Sequence, residues 1–235
     1  MESNNQKPII VEFNGLPGTG KSTISEELEK LAEIKGLKVY RSFDNPGSSL
    51  LSPLLKIRNY AILPSLLFLG KKEDMSRDRL GQILRCLRYI DDYINFTKLS
   101  NNSAILLLDE GIIQALVSIA YLESFKGKEE KLKLFFSKLM KYNVQWYSVN
   151  CISEPSISFE RVIQRGAQQG RMDQLKKAEL INALKFQVES FEIVRNEANK
   201  AGVLVSSIEI DTQKTPIENS DIIMKWIDNN YNKKY

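Results

Sequence analysis

At 235 residues, 43% of them apolar, the chain can bury a full hydrophobic core, as one large α/β domain or two small ones. Its 33 basic and 29 acidic residues leave a net charge of +4 and alternate along helical stretches, which gives no basic face for nucleic acid. The absence of histidine excludes imidazole general bases, histidine-containing zinc sites and serine triads, leaving carboxylates, lysine, arginine, hydroxyls and a metal to carry any chemistry.

No proline- or glycine-rich linker, internal repeat or low-complexity block interrupts the sequence, so residues 1–235 read as a single domain. Met1 to Lys7 is polar and lacks the apolar core of a signal peptide. Ile9-Ile10-Val11-Glu12-Phe13 then has strand character and feeds Asn14-Gly15-Leu16-Pro17-Gly18-Thr19-Gly20-Lys21-Ser22-Thr23, which opens a helical pattern. This stretch fits G-x-x-x-x-G-K-[ST] in the strand-to-helix setting that a phosphate-binding loop requires. Its glycines bring backbone N–H groups close to oxyanions, and the helix start adds unpaired donors and a positive dipole end. Lys21 is expected to reach the β and γ phosphates, and the Ser22 hydroxyl to ligate Mg²⁺. Average composition yields such a pattern by accident in about one chain in a hundred of this size.

The helix from Lys21 carries Ile24, Leu28, Leu31 and Ala32 on one stripe and stops at Gly36. Leu37 to Phe43 reads as a strand, so the opening unit is a βαβ crossover that delivers Arg41, Asp44 and Asn45-Pro46-Gly47 to the ligand-binding edge of a parallel sheet. Pro53 to Leu69 is helical but weakened by Pro64. Lys56, Arg58 and Pro64 also interrupt the only membrane-like run, Leu50 to Leu69, which reads as a core or interface helix. Met75 to Lys98 repeats Leu80, Ile83, Leu84, Leu87, Ile90 and Ile94 at helical spacing. Arg85 and Arg88 share a neighbouring face, either facing a ligand or forming a solvated basic face balanced by Asp91 and Asp92.

Ala104 to Leu108 is a continuous apolar run, the mark of a strand buried on both faces, and Asp109-Glu110-Gly111 ends it at the ligand edge. With the loop upstream, Asp109 is the expected partner of Ser22 in holding magnesium; the alternative is an acid that merely caps the next helix. Helices follow at Ile112 to Glu123 and Glu129 to Lys141, then a strand at Val144 to Ile152 and a helix from Ser153, Pro155 or Ser156 to about Gly166. Arg161, Arg165 and Arg171 bracket a glycine-punctuated segment, about 165–175, suited to close over a nucleotide and bring guanidinium groups to a transferring phosphoryl. The alternative is a solvated turn. A long helix to Lys200, a strand at Val203 to Ile210, and a capping box at Thr215-Pro216-Ile217-Glu218 opening a last helix complete the chain, with a fraying tail expected from Asn229. Cys86 and Cys151 read as buried free thiols of a reducing, cytoplasmic compartment.

This order of elements resembles the P-loop nucleoside and nucleotide kinase family, with the nearest likeness to thymidylate kinases over almost the whole chain. Gly15 to Thr23 is similar to the family's phosphate loop, Arg165-Gly166 with Arg171 and Asp173 to its lid, and Arg41 with Pro46-Gly47 to its acceptor-side turn. The resemblance implies a three-layer α/β/α fold with a five-stranded parallel sheet in order 2-3-1-4-5. It also implies transfer from ATP, with Mg²⁺, to a small acceptor, and possible pairing of two copies through the apolar helices around Leu50 to Ile94. The chain departs from thymidylate kinases at three places: Pro17 replaces an acid in the loop, Asp109-Glu110 replaces an Asp-Arg pair, and Asp44-Asn45 stands where Arg-Glu is usual.

The first expectation is therefore an ATP- and Mg²⁺-dependent phosphotransferase acting on a nucleotide, a nucleoside or another small acceptor. Lys21, Ser22 and Asp109 would serve the donor side; Arg165 and Arg171 would neutralise the transferring group. Arg41, Arg85 and Arg88 would hold an acceptor phosphate, whereas for a hydroxyl acceptor Asp44 or Glu110 would take its proton. A nucleotide-hydrolysing switch using Asp109-Glu110 is the second reading, and a binding module that kept the fold and lost turnover is the third.

Overall fold

The computed structural model describes residues 9–41, 62–67, 69, 77–98, 104–120, 125–143, 145–165 and 175–232. In chain order the elements are β1 (Ile9–Gly15), α1 (Lys21–Ile34), β2 (Lys38–Tyr40), α2 (Leu63–Leu67), α3 (Arg77–Phe96), β3 (Ala104–Leu108) and α4 (Ile112–Ala120). They continue with α5 (Glu129–Met140), β4 (Trp146–Ile152), α6 (Pro155–Arg165), α7 (Lys177–Lys200), β5 (Leu204–Asp211) and α8 (Pro216–Asn232).

The strands form one parallel sheet in the order β2-β3-β1-β4-β5, the order that the resemblance implies. Period-two alternation divides the side chains of the central strands between two helical layers. Ile9, Val11, Phe13, Ile105, Leu107, Tyr147 and Val149 pack with Ile24 and Leu28 of α1 and Ile223 and Ile227 of α8. Ile10, Leu106, Leu108 and Trp146 pack on the opposite face with α3, α4, α5 and α7. Parallel pairing sets every strand's carboxyl end at the same edge, and Val11 stands level with Leu107 and Tyr147. That register brings the residues after β1 and β3 together.

Local chemistry sets the element ends. Past α1, the Leu37 amide donates to the Ala32 carbonyl at 3.0 Å around Gly36, the wrap-back that ends helices on glycine. At α8 the capping box is reciprocal: Thr215 N–H donates to Glu218 Oε2 at 2.9 Å, and Glu218 N–H donates to Thr215 Oγ1 at 3.3 Å. The tail expected to fray from Asn229 stays helical to Asn232. Trp226 stacks edge-on against Tyr147 at 5.5 Å, and Asp228 meets Lys35, just past α1, at 2.5 Å, which ties the last turns to the body. Of the Pro53 to Leu69 helix only α2 falls within the described residues, and Pro64 sits in its first turn, where a proline costs nothing. No helix among the described residues is long and apolar enough to cross a membrane.

Candidate functional site

The glycine-rich loop turns between β1 and α1 with Gly15, Gly18 and Gly20 at φ +145°, +77° and +79°. Lys21, the first residue of α1, folds back over it, its Nζ donating to the Gly15 and Leu16 carbonyls at 3.0 Å each. Thr19 Oγ1 donates to the same Leu16 carbonyl at 2.9 Å, so the loop is braced from both ends. Two other helices reach it. Gln114 of α4 accepts from the Gly15 amide at 3.2 Å. Arg161 of α6 donates to the Gly18 carbonyl at 3.0 Å, and a Cβ at position 18 would stand 2.9 Å from the Arg161 Cβ, so glycine is what allows the contact.

Beside the start of α1 opens a cavity of ≈ 510 Å³. Ser22 borders it from α1, Asp109 and Glu110 from the turn after β3, and Arg85, Arg88 and Tyr89 from α3. Arg41, just past β2, also lines it and spans to three partners: its Nη1 donates to Asp109 Oδ1 at 2.7 Å and to the Ser25 hydroxyl, and its Nε donates to Glu29 Oε2 at 2.8 Å. Arg85 pairs with Glu110 at 3.3 Å, and Arg88 lies 3.9 Å from Asp92. Burial pushes the Tyr89 hydroxyl's pKa well above its usual value, with the Glu110 charge adding and Arg85 and Arg88 opposing.

Ser22 and Asp109 thus open onto one cavity and offer the hard oxygen donors that magnesium prefers. Among the described residues there is no cluster of three or more metal-ligating acids, cysteines or histidines. Magnesium held with substrate phosphates uses one or two carboxylates, so the donor set fits that ion.

Beneath the loop, the face of β1 toward α3 carries buried polar groups. Glu12 has no exposed surface; its Oε2 accepts from the Tyr93 hydroxyl at 2.5 Å and the Ile112 amide at 2.8 Å, and its Oε1 from the Ile113 amide at 3.2 Å. Burial pushes this carboxyl from 4.5 up to about 7, against the pull of Tyr93 and the two amides. Two residues further along the strand, Asn14 donates to Ser148 Oγ at 2.5 Å and accepts from Arg195 Nη1 at 3.3 Å, while Ser148 donates to Asn150 at 3.0 Å. Burial lowers the pKa of Arg195, and Glu209 and Glu192 pull it back up.

Of the residues singled out in the sequence, Ser22, Arg41, Arg85, Arg88, Asp109 and Glu110 come together around this cavity. The solvated balance by Asp91 and Asp92 holds in part: Arg85 and Arg88 are each about half exposed and Arg88 lies 3.9 Å from Asp92, but both aspartates are buried and Arg85 turns to Glu110. Arg165 is the last residue of α6. Asp44, Asn45-Pro46-Gly47, Arg171, Asp173 and most of the 165–175 segment lie outside the described residues. Cys86 and Cys151 are free and buried, and burial pushes the Cys151 thiol up to about 12, so neither is a nucleophile at neutral pH. Sequence reading passed over Glu12 and Gln114. An acid interrupting Ile9-Ile10-Val11 and Phe13 was the available signal, because a charge inside a doubly covered strand must have partners.

What these observations define is an α/β protein with a five-stranded parallel sheet, a lysine-bearing glycine loop after its first strand and a charged cavity at the carboxyl edge. No protein-family model and no curated protein matches the chain.

Proposed function

We propose that this protein is an ATP- and Mg²⁺-dependent phosphotransferase that moves the γ-phosphoryl of ATP to a small-molecule acceptor, in the manner of nucleoside and nucleotide kinases. The observation that carries the reading is the placement of Ser22, Asp109 and Glu110 on the same cavity as Arg41, Arg85, Arg88 and Tyr89. Arginines on the far wall from Ser22 and Asp109, in a cavity of ≈ 510 Å³, offer cationic groups for a second substrate, which favours transfer over hydrolysis.

Catalysis on this reading is positioning and charge neutralisation. The loop amides of Gly15 to Thr23 and the ammonium of Lys21 hold the donor phosphates. Ser22 and Asp109 would hold magnesium, which would supply charge neutralisation to the donor phosphates. Arg165 and Arg171 neutralise the transferring group, and Arg161 steadies the loop through Gly18. Arg85 and Arg88 orient the acceptor, and Asp44 or Glu110 takes its proton when the acceptor is a hydroxyl.

The test is ATP consumption by purified protein with Mg²⁺, with and without nucleosides, nucleotides and other small hydroxyl or phosphate compounds. Acceptor-dependent consumption with a phosphorylated product is the expected result, and Lys21→Ala should lower it by about two orders of magnitude or more. Equal rates with and without acceptors, abolished by Glu110→Gln, would replace transfer by hydrolysis. ATP that is bound and never consumed would make the chain a binding module.

A further inference from the structure

Three walls of the cavity converge on one buried side chain that does not line it. Glu12 lies in β1 three residues before Gly15, and its three donors belong to the elements that carry or directly follow the other two walls. Tyr93 is one helical turn past Tyr89 on α3, the helix that carries Arg85 and Arg88. Ile112 and Ile113 open α4 immediately after Asp109-Glu110-Gly111. The approach is close enough that a Cβ at position 111 would stand 2.1 Å from Glu12 Oε2 and 2.5 Å from the Tyr93 hydroxyl, so only glycine lets the turn come this near. Through Gln114 and the Gly15 amide, α4 then returns to β1 a second time. An ordinary helix cap comes from the residue just before the helix; this one comes from a strand 100 positions away and binds a tyrosine of a third element as well.

We infer that Glu12 is a positioning residue, which holds the Asp109-Glu110 turn and the α3 wall in fixed register with the loop so that Ser22 and Asp109 open onto one cavity. The inference rests on the phosphotransferase reading of that cavity, and it adds the group on which the site's geometry depends. Metal sites lose about tenfold to a hundredfold in affinity when the groups that orient their ligands are removed. Glu12 stands in that relation to Asp109 through the backbone of the turn.

The experiment compares equilibrium binding of ATP in excess Mg²⁺ and in EDTA, for wild type, Glu12→Gln and Tyr93→Phe, with thermal unfolding recorded alongside. Binding in EDTA does not draw on the metal ligands, so the ratio of the two affinities isolates the contribution that passes through magnesium and hence through Ser22 and Asp109. Expected is near-unchanged binding in EDTA and a ratio reduced about tenfold in Glu12→Gln. Tyr93→Phe, which keeps the carboxylate and both amides and is the milder change to the core, should reduce the ratio by about two- to threefold. A merely structural role lowers the melting temperature and leaves the ratio alone; that outcome in both variants overturns the inference, and in Tyr93→Phe alone does so if Glu12→Gln does not fold. A wild type that gains nothing from Mg²⁺ overturns the reading of the cavity and this inference together, whereas a wild type that gains and variants that gain equally overturn this inference alone.

Discussion

The two faces of the sheet are built on different terms. Toward α1 and α8, the central strands present only apolar side chains from end to end: Ile9, Val11 and Phe13; Ile105 and Leu107; Tyr147, Val149 and Cys151. Toward α3 and α7 they begin the same way, with Ile10, Leu106 and Trp146; β3 stays apolar to Leu108, whereas β1 and β4 change character as they approach the loop. Glu12, Asn14, Ser148 and Asn150 occupy the last positions of that face, none more than 3% exposed. Each has a hydrogen-bond partner, because a buried polar group left without one costs about 1–3 kcal/mol. The apolar face supplies non-directional burial that any well-shaped hydrophobe can provide. The polar half-face supplies directional bonds, which fix where the loop, the turn after β3 and the α3 wall stand relative to one another.

The contrast predicts that damage to the two faces is felt differently. Phe13, fully buried on the apolar face, should cost about 3–5 kcal/mol when cut to alanine, read from chemical denaturation, through lost burial and the cavity left behind. Nucleotide affinity of the molecules that remain folded should hardly change. If affinity falls as far as stability does, the faces are not separable and the apolar side also sets the site.

Glu12 on the polar half-face should make itself visible through pH. Its folded-state pKa of about 7 lies above the 4.5 of the unfolded chain, so between these values the native protein holds a proton that the unfolded chain has released. Stability is therefore fully present below about 4.5, falls as pH rises through the window, and levels off above about 7. The difference amounts to about 3 kcal/mol across the window. Melting curves of wild type and Glu12→Gln from pH 4.5 to 8 measure it: the wild type should lose stability relative to the variant as pH rises. Parallel curves would mean that Glu12 stays ionised and fully compensated throughout.

A smaller effect belongs to Arg161, whose side chain touches the loop from outside the sheet. Arg161→Ala removes a charged hydrogen bond to the Gly18 carbonyl and should weaken ATP binding about tenfold, with little change in melting temperature. Equal affinity would show that the Lys21 and Thr19 braces hold the loop unaided.

How much of this was readable in advance follows from the range of each interaction. The loop, the Asp109 strand end, the Gly36 stop and the Thr215–Glu218 cap are encoded within a few residues, and the sheet order comes with the resemblance that those motifs support. Glu12 with Ile112, and Asn14 with Arg195, are 100 and 181 positions apart, beyond the reach of any periodicity. The buried strands were legible because a continuous apolar run is a local property of the sequence. The polar half-face was not, because its logic lies in which distant donors arrive. Arg161 is intermediate: helical spacing groups it with Arg165, yet only the packing of α6 against the loop reveals its bond to Gly18. The same holds for Arg85, for which spacing offers Asp91 and Asp92 and the fold supplies Glu110.

The subtlest test concerns Arg41, which bridges the two regimes from the edge of the sheet. Its guanidinium already engages Asp109 Oδ1, the oxygen-bearing group proposed to share magnesium with Ser22, and is itself anchored by Glu29. A resident cation on that carboxylate competes with an incoming one, so Arg41→Met, which keeps the stem and removes the charge, should lower the Mg²⁺ concentration needed for tight ATP binding. Both members of the Arg41–Asp109 pair are about one-third exposed, so solvent screens it and the shift should be only about two- to threefold. The reverse shift, a higher magnesium requirement in Arg41→Met, would mean that the arginine holds Asp109 in place for the ion, and the positioning carried by the polar half-face would then extend to β2.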